Sequence, residues 1–306
     1  MGSFLGVDVG GTKVAVRVES DGEAGTLEAS TPWPAGGRRE QDLRTLADLV
    51  AEVSRRAGAP PEGIGVAMPA TVDAAGRVVT WPSRPSWVGM DLAAGLRAAC
   101  GDIPVRWAGD GDLAAVAGAR HAGCADLVYL GVGTGIGGGI VHGGRSLPGT
   151  ARGSCELGHV VVDLDGAACA CGRAGCVQAI ASGPAVIRRA GQLRGAPVNA
   201  AALNAGWRRA EPWAVAALDG AAAALAVVVV SVGELLRPEL ALLGGGFAAA
   251  FEGFAQLVDQ HARALARPGF APPPVRPAAV GGLSSLRGAV ELARDAARAG
   301  PAAGRP

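Results

Sequence analysis

The chain has 306 residues and a net charge of +1, with 28 Lys and Arg against 27 Asp and Glu. This balance, without a block of basic residues, argues against an electrostatic nucleic-acid binder, and the length is sufficient for two domains with separate cores. The first residues lack the pattern of a secretory signal, and the most apolar run, residues 221–232, is too short to span a bilayer. We therefore expect a cytoplasmic protein without a membrane or nucleic-acid partner.

The first predicted elements are two strands joined by a glycine turn. Residues 4–9 are apolar and residues 14–18 alternate, so the turn between them links strands and does not open a helix. Backbone N–H groups of such a turn can hold phosphate oxygens, and an aspartate at the strand end can bind Mg²⁺. The candidate residues are Asp8, Gly10, Gly11, Thr12 and Lys13. The same pattern also suits a tight hairpin without a ligand.

The next predicted elements are a strand at 25–30, a helix at 39–56, a buried strand at 63–68 and a helix at 91–99. Residues 81–87 form a polar and aromatic loop. Such a loop can simply pack on the surface, or Ser83 and the tryptophans can line a sugar pocket.

A strand at 105–108 leads into Gly109, Asp110, Gly111 and Asp112, and a helix follows at 113–121. An aspartate at this junction can simply cap the helix. It can also be a catalytic carboxylate that the helix N-terminus keeps ionised. Because either aspartate can cap, the other is available for chemistry.

The second half repeats the pattern of strand, glycine turn and strand, with strands at 126–132 and 140–142. This repetition favours a duplicated architecture with one phosphate-binding turn in each half. Helices are predicted at 184–193, 212–236, 251–265 and 284–298. Strands are predicted at 239–243, directly before the glycine turn at 244–247, and at 274–280. The tail at 300–306 is predicted to be disordered. The candidate nucleotide contacts of this half are Thr134, Gly135, Gly137, Gly245, Gly246 and Phe247.

A cysteine cluster follows the second glycine turn. Cys169, Cys171 and Cys176 have His159 ten residues upstream of the first, and Cys₃His is a standard ligand set for structural zinc. The alternative is a disulfide with a spare thiol, although a bridge between Cys169 and Cys171 would be badly strained. Glu156 lies three residues before His159 and is well placed for a polar substrate.

Five motifs in this order resemble the ROK family of repressors, open reading frames and sugar kinases. They are DVGGTK at 8–13, GTGIGGGI at 133–140, ELGH at 156–159, CACGRAGC at 169–176 and GGG at 244–246. The resemblance implies an actin-like, ribonuclease-H-like fold of two α/β domains around a cleft, with ATP on the glycine turns and sugar between the domains. It assigns residues 1–112 and the helix at 284–298 to a small domain, and residues 113–283 to a large domain with the zinc motif.

By this resemblance Asp110 is the catalytic base, and Glu156 and His159 contact sugar hydroxyls. The chain departs from the family pattern on the sugar side. Gly109 stands where the kinases usually have Asn, Gln178 where they usually have Glu, Pro69-Ala70 for Pro-Gly, and residues 82–84 read Pro-Ser-Arg for Pro-Asn-Leu. Gln178 keeps one acceptor and adds two donors, so it suits a substrate that offers an acceptor.

We therefore expect a kinase that phosphorylates a primary hydroxyl of a hexose or hexose-like cyclitol, such as a C7-cyclitol, and that prefers other substrates to glucose. It would use ATP, Mg²⁺ and structural Zn²⁺ and form a homo-oligomer, a dimer. An ordinary ROK glucokinase and a catalytically inactive sugar sensor are the alternatives. A ROK repressor is disfavoured because residue 8 already opens the kinase-like body, without a preceding DNA-binding segment.

Overall fold

The computed structural model describes residues 2–20, 25–81, 83–148, 153–279 and 284–299. It divides into two compact α/β units. Among the described residues, unit 1 lies within 1–117, 146–155 and 283–306, and unit 2 within 118–145 and 156–282. The sequence-based division at residue 112 differs from this one chiefly at 146–155, which the contacts group with unit 1. The predicted tail at 300–306 lies outside the described residues.

The strands alternate with helices through most of the chain. The strands are β1 (Ser3–Val9), β2 (Lys13–Ser20), β3 (Leu27–Pro32), β4 (Gly63–Met68), β5 (Thr71–Val72), β6 (Val78–Thr80), β7 (Val105–Gly109), β8 (Leu127–Val132), β9 (Ile136–His142), β10 (Arg145–Leu147), β11 (Leu240–Gly244) and β12 (Val275–Pro277). The helices are α1 (Arg39–Ala57), α2 (Leu92–Cys100), α3 (Asp110–Ala122), α4 (Val177–Ala181), α5 (Gly183–Arg194), α6 (Ala200–Arg208), α7 (Pro212–Leu236), α8 (Gly246–Ala249), α9 (Phe254–Ala264) and α10 (Ser284–Ala299).

Unit 1 is built on a five-stranded sheet in the order β3-β2-β1-β4-β7. β1 pairs with β2 in antiparallel fashion, and β1, β4 and β7 are parallel. The carboxyl ends of these three strands therefore meet at one edge of the sheet. A small antiparallel pair, β5 and β6, follows β4.

The final helix, α10, covers one face of this sheet. It packs on β1 and β4, where three glycines, Gly6, Gly63 and Gly65, leave no side chain between strand and helix. A Cβ at any of the three would overlap with the α10 backbone. The close approach of helix to sheet therefore depends on these glycines.

The loop at 81–87 is partly buried, with Trp81, Arg84 and Trp87 inside the protein and Ser83 exposed, which differs from the surface loop considered in the sequence analysis. Trp81 and Trp87 are 1% and 0% exposed and pack edge to face, with ring centroids 4.8 Å apart. Arg84 forms a buried ion pair with Asp42 of α1, and its guanidinium lies 5.1 Å from the centre of the Trp33 ring. Trp87 Nε1 also donates to Asp42, at 3.0 Å. The three tryptophans, Trp33, Trp81 and Trp87, form part of the unit 1 core, and the intervening Pro82 lies outside the described ranges.

Unit 2 contains the second five-stranded sheet, in the order β10-β9-β8-β11-β12. β8 and β9 are antiparallel, whereas β8, β11 and β12 are parallel. Its central helix, α7, packs against α4, α5, α6 and α9. In the described ranges α7 alone is long and apolar enough to cross a membrane, and 56% of its apolar window is buried inside the protein. This burial is typical of a core helix.

Candidate active site

Two aspartates lie at the carboxyl edge of the unit 1 sheet. Asp8 is the second-last residue of β1, and Asp110 begins α3 immediately after β7. Desolvation raises the pKa of the Asp8 carboxyl, and the negative charge of Asp110 raises it further. The parallel strands thus bring together two carboxylates that are about 100 residues apart in the chain.

A serine of α10 holds the first of these carboxylates. Ser285 Oγ donates to Asp8 Oδ2 at 2.8 Å, and this hydrogen bond together with Lys13 opposes the rise in the Asp8 pKa. The bond occupies one oxygen of the carboxylate, and the second oxygen can serve a metal ion, because Mg²⁺ commonly takes one or two carboxylate ligands.

The first glycine turn is braced by Trp33. Gly10 N–H donates to Lys13 O at 3.0 Å, Trp33 N–H donates to Thr12 O at 3.1 Å, and Trp33 Nε1 donates to Gly10 O at 2.7 Å. Thr12 and Lys13 are exposed. Ser83 lies beside this turn, since a Cβ at Gly11 would lie 2.8 Å from Ser83 Oγ. The structure therefore places Ser83, a predicted sugar contact, next to a predicted phosphate turn.

The two aspartates after β7 have different surroundings. Asp110 is exposed to solvent, and Gly111 N–H donates to its Oδ1 at 2.8 Å. Surrounding protein atoms desolvate this carboxyl and raise its pKa, while the Gly111 bond lowers it. Asp112 is buried, and its Oδ1 accepts from Cys155 N–H at 3.3 Å. Of the pair, Asp110 is thus the carboxylate that a substrate can reach.

In unit 2, the glycine turn at 133–135 and the turn after β11 lie at the same sheet edge, because β8 and β11 are parallel. Gly183 N–H donates to Gly133 O at 2.9 Å. The Phe247 ring packs on Gly183, where a Cβ would lie 2.8 Å from its Cδ2. Gly245 has a φ of 88° and leaves no room for a Cβ beside Val132. The structure therefore brings together most of the predicted nucleotide contacts of this unit.

Gln178 is bonded to the second glycine turn. Its Oε1 accepts from Ile136 N–H at 2.9 Å, and a Cβ at Gly135 would lie 2.7 Å from the same oxygen. Because a backbone N–H requires an acceptor, this bond fixes the orientation of the amide. The Gln178 NH₂ group must then face away from the turn, as a donor.

The cysteine cluster of unit 2 places four ligand atoms close enough to hold one metal ion. The ligand atoms of His159, Cys169, Cys171 and Cys176 lie within 4.8 Å of one another. Cys171 Sγ and Cys176 Sγ are 3.7 Å apart, as are Cys169 Sγ and His159 Nδ1. Tetrahedral zinc with bonds of about 2.3 Å separates its sulfur ligands by about 3.8 Å, so the spacing fits the ion. The cysteines are free thiols, which does not support the disulfide alternative.

Glu156 lies three residues before His159, which is a member of this cluster. Glu156 is exposed and precedes a short 3₁₀ turn, Leu157–His159, in which His159 N–H donates to Glu156 O at 3.0 Å. The candidate sugar contacts Glu156, His159 and Gln178 belong to unit 2, whereas Ser83, Gly109 and Asp110 belong to unit 1.

The sequence analysis missed two groups beside these residues. Ser285 was assigned only to a helix, and Ser154 was not considered. A Cβ at Gly109 would overlap with Ser154 Oγ. No local signal in the sequence points to either contact, because each joins segments more than 40 residues apart.

Comparisons with known proteins agree with this architecture. The family model described as "ROK family" matches residues 4–296. A kanosamine kinase from Amycolatopsis mediterranei (strain S699) is 54% identical over 289 residues, which cover 94% of this chain and 95% of that protein. The crystal structure of a ROK hexokinase from Thermus thermophilus has a TM-score of 0.86 and 32% identity, covering 97% of this chain and 100% of the other. A ROK family glucokinase from Streptomyces griseus, solved with glucose and AMPPNP, has a TM-score of 0.78 and 27% identity, covering 96% and 100%.

The two α/β units have the actin-like ATPase fold, related to ribonuclease H, that the sequence analysis predicted. An enzyme of this class, a sugar kinase, transfers a phosphoryl group to an alcohol. The chain belongs to the ROK family.

Proposed function

We propose that this enzyme is an ATP-dependent kinase that phosphorylates the primary hydroxyl of an amino hexose of the kanosamine type. Kanosamine is glucose with an amine in place of the hydroxyl on carbon 3. The observation that carries the proposal is the 54% identity, over nearly the whole chain, to a kanosamine kinase. The ROK glucokinase from S. griseus is only 27% identical. The departures from the family pattern at Gly109 and Gln178 support a substrate other than glucose.

Asp110 is the proposed general base. Phosphoryl transfer depends mainly on positioning and charge neutralisation, so one placed carboxylate is sufficient to accept the proton of the attacking hydroxyl. Its exposure leaves it accessible, and its raised pKa makes it a stronger base than an ordinary aspartate. The Gly111 N–H bond to Oδ1 orients the carboxylate.

The proposed nucleotide contacts are the two glycine turns and the turn that contains Phe247. Backbone N–H groups of the turns would hold phosphate oxygens, and Thr12 and Lys13 would add a hydroxyl and a positive charge. Asp8, with one oxygen fixed by Ser285, would hold Mg²⁺ directly or through water. When bound, this ion supplies charge neutralisation for the transferred phosphoryl group.

The Cys₃His cluster is the proposed site of a structural zinc ion. With four protein ligands it would keep no open position for catalysis. Its proposed contribution is to the fold and to the orientation of His159, because a metal on one ring nitrogen fixes where the other can meet a sugar. We also expect a cytoplasmic enzyme that forms a homodimer. Light scattering of the purified protein would test the homodimer.

A keto-cyclitol is the second candidate substrate, and the orientation of Gln178 favours it. Because Ile136 N–H occupies Oε1, the amide presents its NH₂ group, which would pair with a keto oxygen. The two candidates differ in the group offered to the site, which is an amine in one and a carbonyl in the other.

The test is a comparison of kcat/KM for kanosamine, glucosamine, glucose, mannose, N-acetylmannosamine and a keto-cyclitol such as valiolone, with ATP and with polyphosphate as donors. We expect kanosamine with ATP to give the highest value and glucose to be poor. A polar group left unpaired in the site costs roughly 1–3 kcal/mol, or about 5- to 150-fold in kcat/KM. If glucose gives the highest kcat/KM, the enzyme is an ordinary glucokinase. If valiolone gives the highest kcat/KM, the result supports the second candidate substrate. Phosphoryl transfer to none of them would favour the inactive sensor.

A further inference from the structure

The residue before the proposed catalytic carboxylate is a glycine, and the side chains of Ser154 and Asp112 occupy the position where its own side chain would begin. A Cβ built on Gly109 would overlap with Ser154 Oγ, and would lie 3.0 Å from Ser154 Cβ and 2.9 Å from Asp112 Oδ2. The usual asparagine of the resembling kinases could not be accommodated here unless Ser154 moved. The hydroxyl of Ser154 therefore occupies the position where the side chain of residue 109 would begin.

Ser154 is held in this position from the α3 side. The N–H of the next residue, Cys155, donates to Asp112 Oδ1 at 3.3 Å, and Asp112 is only 4% exposed. This bond attaches the segment at 153–155 to the first turn of α3, next to Asp110. Ser154 itself is only half-buried, so a substrate can reach it.

The chemistry of this position differs from that of an asparagine. A hydroxyl at the Cβ position lies closer to the backbone than a carboxamide would, so the space that the carboxamide would fill is left to the substrate. The hydroxyl oxygen is also an acceptor, and the Asp112 carboxylate lies beside the same position at Gly109, while Asp110 begins the same helix turn. An acceptor in such an acidic helix turn suits a cationic substituent better than a neutral hydroxyl.

We propose that Ser154 binds the amino group of the substrate beside Asp110 and so selects an amino hexose over glucose. Asp112 acts as a positioning residue, because it holds the segment that carries Ser154. This inference rests on the proposed function, since it names the residue that would recognise the amine.

The test compares the wild-type enzyme with Ser154→Ala. The measured quantity is the ratio of kcat/KM for kanosamine to that for glucose, together with calorimetric binding of kanosamine in the absence of nucleotide. We expect the ratio to fall about 10- to 100-fold, the range for losing a hydrogen bond to a charged group, with weaker binding of kanosamine. Ser54→Ala is the matched control, because Ser54 lies within α1 and its Oγ donates to Val50 O of the same helix. The control should keep the wild-type ratio.

A second pair of variants tests the packing. Gly109→Asn should lower the melting temperature, because its Cβ overlaps with Ser154 Oγ. Adding Ser154→Gly should restore the melting temperature and move the ratio towards glucose. A double variant that keeps the wild-type ratio of kanosamine to glucose would overturn the inference.

The outcomes separate this inference from the proposed function. A wild-type enzyme that prefers glucose to kanosamine would defeat both. A wild-type enzyme that prefers kanosamine, with a ratio in Ser154→Ala within about twofold of the wild type, would leave the proposed function standing and would overturn the role of Ser154.

Discussion

The buried ion pair of unit 1 allows a quantitative prediction. Asp42 is 0% exposed and accepts from Arg84 Nη1 at 3.1 and 3.2 Å and from Trp87 Nε1 at 3.0 Å. Asp42→Ala would leave the Arg84 guanidinium, itself 8% exposed, without its counterion. Breaking one side of a buried pair typically costs about 3–5 kcal/mol, because the remaining charge is uncompensated. We expect the free energy of unfolding to fall by about this amount.

Urea denaturation of the purified protein measures the change. The matched control is Asp48→Ala in the same helix, where the aspartate is exposed, and it should change the free energy by no more than about 0.5 kcal/mol. Replacing both partners with Asp42→Leu and Arg84→Met should cost less than the sum of the single changes, because neither charge remains unpaired. A loss below about 1 kcal/mol in Asp42→Ala would refute the reasoning.

Four further predictions concern the site. Asp110→Asn should lower kcat at least about 100-fold while substrate binding changes less. An inactive Asp112→Asn variant together with an active Asp110→Asn variant would show that Asp112, and not Asp110, is the base. The surrounding protein desolvates the Asp110 carboxyl and raises its pKa, and the base must be ionised. We therefore expect kcat/KM to fall on acidification at a pH above the ordinary aspartate value of 3.8, and a profile that stays flat down to that pH would contradict this. Cys171→Ser should lower both zinc content and melting temperature, whereas full zinc occupancy with unchanged melting would argue against the metal site. Ser285→Ala should weaken Mg²⁺-dependent ATP binding, measured by calorimetry, because Asp8 would lose the hydrogen bond that fixes its orientation. Unchanged binding would show that Ser285 does not contribute to the metal site.

Local patterns predicted much of this fold. The hairpin that follows Asp8 and the long helix at Pro212–Leu236 were both expected from apolar periodicity and glycine placement, which depend on near neighbours in the chain. The fold class followed from the order of the motifs and is confirmed by the related structures. The assignment of roles to individual site residues, including Asp110 as base, stays a prediction.

Contacts across long stretches of sequence were not predictable. Asp42 and Arg84 are 42 residues apart, and nothing in the local pattern of either distinguishes a buried ion pair from two surface charges. The bond from Ile136 N–H to Gln178 also spans 42 residues. Helix α6 was missed, although Asn199 caps it by accepting from Ala202 N–H at 2.8 Å. The helix has only 9 residues, and helices this short have little stability of their own.

The docking of α10 on β1 and β4 has a consequence for synthesis of the chain. The glycine-lined face of the unit 1 sheet is made early, but the helix that covers it leaves the ribosome only after nearly all of unit 2. At roughly 5–20 residues per second, this interval lasts on the order of ten to thirty seconds. During that time unit 2 can fold while the first sheet still exposes the apolar surface that α10 will cover. We therefore expect unit 2 to reach its native state on the ribosome, whereas unit 1 is completed only when residues 284–299 emerge.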